Sequence, residues 1–188
     1  MSSTEKPVPD FTISKLRATI GAVARPNLWE AELYIPQGSL LKTKPESFKF
    51  RCEKAEIPGR TIATVDDTGS GPTLKLPYDV TYNDIEITII CSTDMIEREY
   101  FENWIDTIIN PSSEAKKGGL LNYYSQYARG NELNLRQVDE AGETLLTYYL
   151  RDVYPIQISP MNLSWEETNT YQRFNVTMTY RYYEYTKS

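Results

Sequence analysis

The last part of the chain alternates between apolar and polar residues. Over residues 172–185 one set of alternate positions is apolar or aromatic, and the other set is mostly Asn, Thr and Arg. Strict alternation is typical of a β-strand with one buried and one solvated face. No Gly or Pro interrupts the run, so we predict a single strand about 40 Å long, given a rise of about 3.3 Å per residue. The apolar side of this strand consists of Phe174, Val176, Met178, Tyr180 and Tyr182. A second layer of the protein must cover it.

The composition narrows the classes of function that the chain can have. Its net charge of −6 argues against a nucleic-acid-binding module, which needs a basic surface. The chain contains no histidine, so the commonest general base and the usual zinc ligand are both missing. No apolar window of about 18 residues is present, and we expect no membrane span. Residues 1–10 lack a hydrophobic signal region, so we expect the protein to stay in the compartment where it is made.

Two residue types indicate how the protein packs. Fifteen tyrosines among 188 residues favour packing and subunit contacts, because tyrosine combines a large apolar ring with a polar tip. Few basic residues are interleaved with these tyrosines, so a stacking platform for nucleic acid is less favoured. Cys52 and Cys91 occupy apolar positions of predicted strands, and we expect free, buried thiols in a reducing cytosol rather than a disulfide.

The remaining pattern predicts two regions. Residues 1–23 are predicted as an N-terminal arm with a short helix at 12–23, and residues 24–188 as one β domain. In this domain a turn at 139–142 joins two strands as a hairpin, with Gly142 where positive φ is expected, and the residues at 153–155 (Val-Tyr-Pro) break the ladder. A first strand ends at residue 35, and further strands are predicted at 47–56, 84–92, 131–138, 143–151 and 161–165.

The clearest helical pattern lies at 94–109. Asp94 and Glu97 have the spacing of a capping box, in which both side chains satisfy backbone N–H groups at the helix start. We expect its apolar stripe to cover one side of the sheet; the stripe consists of Ile96, Tyr100, Phe101, Trp104, Ile105 and Ile108. The outer face is acidic and carries Glu97, Glu99, Glu102 and Asp106.

Residues 57–83 form an unusual segment that mixes Gly and Pro with apolar residues. Loops longer than about 12 residues are uncommon in compact domains and are usually functional or disordered. Strand-like pieces lie at 71–77 and 80–82. We therefore predict a projecting, hairpin-like arm.

No motif in the sequence predicts catalysis. Residues 68–72 resemble a phosphate-binding loop, but they lack the Lys-Ser/Thr ending and contain a proline without an N–H group, so we interpret them as a flexible loop tip. The adjacent acidic pairs at 66–67 and 166–167 lie in turns, where solvated charge is favoured over acid–base catalysis. We therefore predict that the protein is not an enzyme and uses no cofactor or metal.

A short basic run precedes the arm and contains Lys42, Lys44, Lys49, Arg51 and Lys54. A solvated face, or a contact with an acidic partner surface, is favoured over a nucleic-acid patch. The acidic face of the helix at 94–109, on a neighbouring copy, is one candidate for that partner surface.

Several short sequences occur in an order and spacing that resemble one known family. Residues 24–29 (Ala-Arg-Pro-Asn-Leu-Trp) open a strand, and residues 52–58 (Cys-Glu-Lys-Ala-Glu-Ile-Pro) end the next. Ser-Thr-Asp-Met at 92–95 leads into Glu-Arg-Glu-Tyr-Phe-Glu-Asn-Trp at 97–104, and Tyr-Pro and Leu-Ser-Trp precede the terminal strand. Together, over about residues 24–185, these sequences resemble the tail tube proteins of contractile-tailed bacteriophages of the T4-like group.

The resemblance implies a fold and an assembly. The subunit would be mainly β, a β-sandwich or barrel with one packed α-helix, and without enzymatic activity. Six subunits would form a ring in which their strands close one shared inner β-barrel, and this closure would leave no exposed sheet edge. Rings would stack into a hollow tube inside a contractile sheath. Six copies at −6 each would carry −36, and a negative lumen would repel phosphate so that DNA could slide.

Partners and residue roles follow from the same resemblance. The partners would be other copies of the chain, the tail sheath protein, the baseplate tube initiator and the tail terminator, with genomic DNA and tape measure protein in the lumen. The protein would lie in the virion tail, would be assembled in the bacterial host cytoplasm and would contact no membrane. The arm would touch the adjacent ring through Asp66, Asp67, Leu74, Lys75, Tyr78 and Tyr82. The lumen would be lined by Asn175, Thr177, Thr179 and Asn134, and the sheath would be faced by Glu99, Glu102 and Asp106.

Two other interpretations remain open at this point. A baseplate tube initiator or a related contractile-injection tube protein would share the fold, although such initiators usually carry an extra domain. A carbohydrate-binding β-sandwich would use its surface Tyr and Trp side chains.

Overall fold

The computed structural model describes residues 26–37, 39–41, 45, 48–69, 71–110, 120–165 and 170–187. The predicted arm and helix at 1–23 lie outside these ranges. Within them the strands are β1 (Trp29–Tyr34), β2 (Cys52–Ala55), β3 (Arg60–Asp67), β4 (Leu74–Tyr82), β5 (Ile85–Ile90), β6 (Ile109–Asn110), β7 (Leu120–Leu121), β8 (Glu132–Val138), β9 (Thr144–Arg151), β10 (Tyr154–Ile158), β11 (Arg173–Thr179) and β12 (Tyr182–Lys187). The helices are α1 (Phe48–Arg51), α2 (Ile96–Ile108) and α3 (Tyr124–Tyr127). None of the described helices is both long and apolar enough to cross a membrane.

Two four-stranded sheets form the body of the subunit. The first sheet has the order β1-β8-β9-β12, and the second sheet has the order β10-β11-β5-β2. All of these pairings are antiparallel. Inward side chains of both sheets form one core cluster, with Leu33 and Leu133 from the first sheet and Ile87 and Val176 from the second. Each such buried side chain contributes about 1.5–3 kcal/mol relative to an exposed one. The predicted mainly β sandwich with a packed helix is confirmed.

The C-terminal stretch forms two strands in different sheets. β11 lies in the second sheet between β10 and β5, whereas β12 pairs with β9 in the first sheet. The chain bends at Arg181, whose backbone N–H donates to the carbonyl oxygen of Arg151 at 2.9 Å. The apolar positions as far as Tyr180 are buried, whereas Tyr182 is exposed, because the bend changes which side of the chain faces the core. The predicted single strand is therefore wrong, and this segment instead joins the two layers of the sandwich.

The chain also changes sheets between β9 and β10. Asp152 adopts a positive φ of 55° at this point, and its Oδ1 accepts the N–H of Gly130 at 2.8 Å. Pro155 then lies within β10, an edge strand of the second sheet, where a residue without an N–H group is tolerated. The ladder of β9 ends at Arg151, in agreement with the break predicted at 153–155, although Pro155 itself is paired in β10. The strand predicted at 161–165 is absent, because Leu163 and Trp165 face solvent rather than a sheet partner.

Helix α2 buries its aromatic residues as predicted but begins differently. Tyr100, Phe101 and Trp104 are buried, and the ring of Phe101 lies 6.1 Å from that of Phe174. The residue before the helix is Met95, which has a φ of 54° and makes no side-chain capping bond. The predicted capping box is therefore wrong. The carboxylate of Glu97, which was expected to complete it, instead pairs with Arg51.

The segment predicted as a strand over 47–56 begins with a helical turn. Phe48 in α1 is 3% exposed, and its ring lies 6.2 Å from that of Phe101 in α2. Phe48 and Cys52 both face the core. Residues four apart share one face of a helix and also share one face of a strand, so alternation could not distinguish the two. The contact between Phe48 and α2 decides in favour of the helix.

Both cysteines are free, as predicted. Cys52 packs against the core, and burial raises the pKa of its thiol to about 12. The Sγ atom of Cys91 lies 3.8 Å from the Sδ atom of Met161. A thiol with so high a pKa is protonated at neutral pH and reacts slowly.

The β8–β9 hairpin lies within one residue of its predicted position. Asp139 shapes its turn, since Oδ1 accepts the N–H groups of Ala141 and Glu143 at 2.9 and 2.8 Å. Gly142 has a φ of +83°, as predicted.

Replacement of Gly142 by alanine is expected to lower the free energy of unfolding by about 1 kcal/mol, because the left-handed conformation is unfavourable for a residue with a Cβ atom. A Cβ atom at this position would meet no heavy atom within 4 Å, so backbone strain is the cause. Gly71→Ala is the matched control, since its Cβ atom also meets nothing within 4 Å and its φ lies outside the left-handed region. Urea denaturation of both variants measures the difference, and equal stabilities would contradict the prediction.

Candidate assembly surfaces

Strands β3 and β4 form an antiparallel hairpin, called the projecting hairpin below. Apart from Ala63 and Tyr82, its described residues are exposed. Cross-strand pairing places Ile62 with Val80 on one face and Val65 with Leu76 on the other. These four side chains are 42–57% exposed. An isolated two-stranded hairpin is marginally stable in water, and apolar side chains exposed on both faces are typical of an interaction surface.

The structure brings together only some of the six residues that were predicted to touch the adjacent ring. At the far end of the projecting hairpin Asp66 lies opposite Lys75, and Asp67 lies opposite Leu74. Tyr78 lies nearer the base, beside the bulge in the pairing, and is 70% exposed. Tyr82 lies at the base, where its ring is 5.6 Å from that of Tyr183 and 6.0 Å from that of Tyr180. Tyr82 therefore joins the hairpin to its own subunit and is separate from the far end.

A second exposed apolar surface lies at the opposite end of the second sheet. The projecting hairpin leaves this sheet where β2 ends and β5 begins, whereas the loop residues 159–165 leave it where β10 ends, level with the start of β11. In that loop Leu163 is 85% exposed and Trp165 is 102% exposed. Sequence reasoning placed these residues in a strand and missed the surface, although an unpartnered Trp with a neighbouring Leu is a signal for a contact site.

The outer side of the second sheet, called the polar face below, is lined by amides and hydroxyls. Asn175 lies at its centre: its Nδ2 donates to Oε1 of Glu86 at 2.9 Å, and its Oδ1 accepts from Oγ1 of Thr88 at 3.1 Å. Thr177 and Thr179 follow on the same side of β11. The central polar groups of this face are satisfied by one another.

Asn134 does not belong to the polar face. It lies on β8 opposite Tyr149, on the outer side of the first sheet. Ion pairs occupy that side, including Arg151 with Glu184 at 3.0 Å. The four predicted lumen residues therefore lie on two opposite surfaces: Asn134 on the first sheet, and the other three on the polar face. The polar face also includes Glu86 and Thr88, which the sequence did not indicate.

The three predicted sheath-facing residues, Glu99, Glu102 and Asp106, are exposed on α2. Glu102 is partly neutralised, because its Oε1 lies 2.6 Å from Nη2 of Arg98. Arg98 also donates from Nη1 to the carbonyl oxygen of Ser159 at 2.7 Å, which ties the helix to the loop residues 159–165.

Glu97 was expected on the same acidic face but is 1% exposed. Its Oε1 lies 3.0 Å from Nε of Arg51, and its Oε2 accepts from the backbone N–H of Ser92 at 2.9 Å and from the hydroxyl at 2.8 Å. A buried carboxylate requires such partners, since an unpaired buried charge is strongly destabilising. Arg51 therefore pairs within its own subunit, and so does Lys49, which lies 2.9 Å from Glu30. Both side chains stay about one-third exposed, so the predicted contact of this basic run with a partner surface stays a prediction.

These surfaces offer contacts rather than reactive groups. Within the described ranges, no three Cys, Asp or Glu side chains are grouped so that they could hold a metal ion. A two-faced projecting hairpin, an exposed Trp and a hydrogen-bonded polar face are typical of a structural protein that acts through contacts.

Comparison with known proteins agrees with this class. A family model described as phage tail tube protein matches residues 24–186. The tail tube protein gp19 of Enterobacteria phage T4 is 22% identical over 170 residues, which cover 87% of this chain and 93% of the relative. The corresponding protein of Enterobacteria phage T6 has the same identity and coverage. The chain therefore belongs to the phage tail tube protein family and is a structural subunit of a phage tail, as its sequence pattern predicted.

Solved structures share the fold at low identity. A chain of an extracellular contractile injection system, the PVC sheath–tube complex in its extended state, is 12% identical with a TM-score of 0.59, and the match covers 95% of this chain and 100% of that chain. A chain of the anti-feeding prophage baseplate is 12% identical with a TM-score of 0.57, covering 88% and 95%. A chain of the anti-feeding prophage tube terminating cap is 11% identical with a TM-score of 0.59, covering all of both chains.

Proposed function

We propose that the subunit forms hexameric rings that stack into a hollow tube inside a contractile sheath, and that genomic DNA and tape measure protein pass through the tube. The observation that carries this proposal is the projecting hairpin. Its strands of 8 and 9 residues expose apolar side chains on both faces, and a stable protein–protein interface takes about 20–30 residues a side.

Stacking would bring opposite ends of neighbouring subunits together. The projecting hairpin and the Leu163–Trp165 surface leave the second sheet at opposite ends. Two different surfaces on one chain give a head-to-tail contact, which continues into a filament instead of closing after two copies. The far end of the hairpin, with Asp66, Asp67, Leu74 and Lys75, would meet the adjacent ring.

The polar face would line the lumen. Asn175 is already bonded to Glu86 and Thr88, so it has few free donors to offer a phosphate. Glu86 is exposed and adds negative charge, and repulsion between like charges would keep DNA from adhering. Asn134 would lie outside this wall, because it belongs to the first sheet.

The remaining partners are proposed from the same arrangement. The exposed carboxylates of α2 would face the sheath protein, and the end rings would contact the baseplate tube initiator and the tail terminator. Structures of similar fold come from a sheath–tube complex, a baseplate and a tube terminating cap, which supports these assignments. Assembly would occur in the bacterial host cytoplasm, and the subunit would have no catalytic role.

Electron microscopy of the purified protein tests the proposal. We expect rings, or tubes of uniform bore whose projections have sixfold symmetry. A protein that stays monomeric at high concentration, with and without a tail initiator complex, would overturn it.

A further inference from the structure

One edge of the second sheet ends in an apolar opening of the sandwich. Beyond β2, a cavity of about 240 Å³ lies between the inward sides of the two sheets. Ala55, Ile57, Trp29 and Tyr148 are among the residues that line it. Ile57 is 59% exposed. We call this surface the β2 seam.

The opposite edge of the same sheet has a second apolar surface. Beside β10 a cavity of about 210 Å³ lies between the strand and the end of α2, and its lining is Ile105, Ile108, Ile109, Tyr154, Pro155 and Ile156. Ile109 is 50% exposed and Ile156 is 48% exposed. Ile156 is the bulged residue of β10, which turns an extra side chain out at the sheet edge. We call this surface the β10 seam.

The two seams lie at the same level along the strands. Pro155 is opposite Met178, and Met178 is opposite Ile85. Ala55 is opposite Ile87, so antiparallel spacing places Ile57 level with Ile85. One row across the sheet therefore runs from the β10 seam to the β2 seam.

The two edge strands beside the seams, β2 and β10, have directions that allow them to pair between two copies. β2 and β10 are the outermost strands of the second sheet in the described part of the chain. They run in opposite directions, because three antiparallel pairings separate them. Two copies placed side by side would therefore pair β10 of one with β2 of the next as antiparallel strands.

In the next row across the sheet, a hydrogen-bond donor at the β10 edge lies level with an acceptor at the β2 edge. Gln157 is opposite Thr177, and Thr177 is opposite Glu86. The same spacing places Glu56 level with Glu86. Across a contact between two copies, the amide donor of Gln157 would thus face the carboxylate of Glu56, both of which are exposed.

We propose that the lateral contact between copies in a ring inserts Ile57 of one subunit into the β10 seam of the next, between Ile105, Ile109 and Ile156. The shared inner barrel implied by the family resemblance already joins the sheets of neighbouring copies. The new element is that the β2 seam and the β10 seam complete each other across that join. This inference rests on the proposed ring assembly and specifies the surfaces that close it.

Paired cysteines test the contact. Ile57→Cys and Ile156→Cys are combined in one chain, which is assembled and treated with a short bismaleimide cross-linker under native conditions. We expect a ladder of covalent oligomers that ends at the size of the ring, and only monomer from either single variant. The native thiols of Cys52 and Cys91 are weak competitors, because burial raises the pKa of each. Leu145→Cys with Ile156→Cys is the matched control, since Leu145 is exposed on the first sheet and should give no ladder.

A charge at the same position gives a second readout. Ile57→Asp should weaken ring formation about 10- to 100-fold in sedimentation, as expected for loss of a buried interface residue, while circular dichroism stays unchanged because Ile57 is exposed in the monomer. The seam contact would be overturned if Ile57→Asp forms tubes at the wild-type concentration and the double-cysteine chain gives no cross-linked ladder. The proposed tube function would not be affected by that result. If the thiol introduced by Ile57→Cys resists maleimide in the monomer, the β2 seam is covered by the chain's own residues 1–25, and the seam contact is also overturned. A wild-type chain that forms no ring would overturn both proposals.

Discussion

Removal of residues 61–81 is expected to leave a folded subunit that forms rings but no tubes. The deleted residues are almost all exposed, so little core burial is lost. The ends can be rejoined by a short turn, since a Cβ atom at Gly59 would lie 3.8 Å from Nδ2 of Asn83. Keeping Tyr82 preserves its contacts with Tyr180 and Tyr183. Electron microscopy and sedimentation measure the assembly, and circular dichroism and thermal unfolding measure the fold.

A second variant tests whether stacking depends on the apolar side chains of the hairpin or only on its length. Val65→Ser with Leu74→Ser keeps every residue of the chain, and we expect shorter and fewer tubes at the same concentration. Leu145→Ser is the control, because Leu145 is an exposed apolar residue of the first sheet and should not affect stacking. Loss of cooperative unfolding in the deletion would show that the hairpin belongs to the core. Normal tubes from the deletion would exclude the hairpin from the stacking contact.

Replacement of Arg51 by methionine is expected to lower the free energy of unfolding by about 3 kcal/mol, in the range for breaking a buried ion pair. The change leaves the carboxylate of Glu97, which is 1% exposed, without its cation. The value lies at the low end of that range because the Arg51 side chain is 34% exposed and water can partly solvate the site. Urea denaturation monitored by tryptophan fluorescence gives the measurement.

Two further variants test the cause of that loss. Lys49→Met removes a neighbouring ion pair whose side chains are 36% and 38% exposed, so it should cost less than about 1 kcal/mol. Arg51→Met combined with Glu97→Met should regain part of the stability, because paired apolar side chains replace a buried charge. The explanation fails if Arg51→Met and Lys49→Met are equally stable.

Local signals predicted some elements well. The β8–β9 hairpin was predictable because a Gly at a turn position separates two alternating runs, and this pairing involves residues close in the chain. The aromatic stripe of α2 was predictable because three- and four-residue spacing defines one helix face. The polar residues of β11 were placed on one face for the same reason, since alternation determines the face of a strand.

Contacts between distant residues limited the rest of the candidate surfaces. Glu97 was assigned to an exposed acidic face, because nothing near it in the sequence indicates that the distant Arg51 pairs with it. Trp165 was assigned to a strand, because a Leu-Ser-Trp run alternates whether or not another strand lies beside it. The separation of Asn134 from Asn175 follows from which sheet each strand joins, and alternation carries no information about this.

The sequence by itself determined the family, the mainly β composition, the position of the helix and the existence of an arm between residues 57 and 83. These features depend on local periodicity, turn residues and the order of short motifs along the chain. Only the tertiary structure decided that the C-terminal stretch bends at Arg181 and belongs to both sheets. The physical reason is that both halves satisfy the same alternating pattern, and the sheet that each half joins depends on its partners, β5 and β9, which lie far away in the chain.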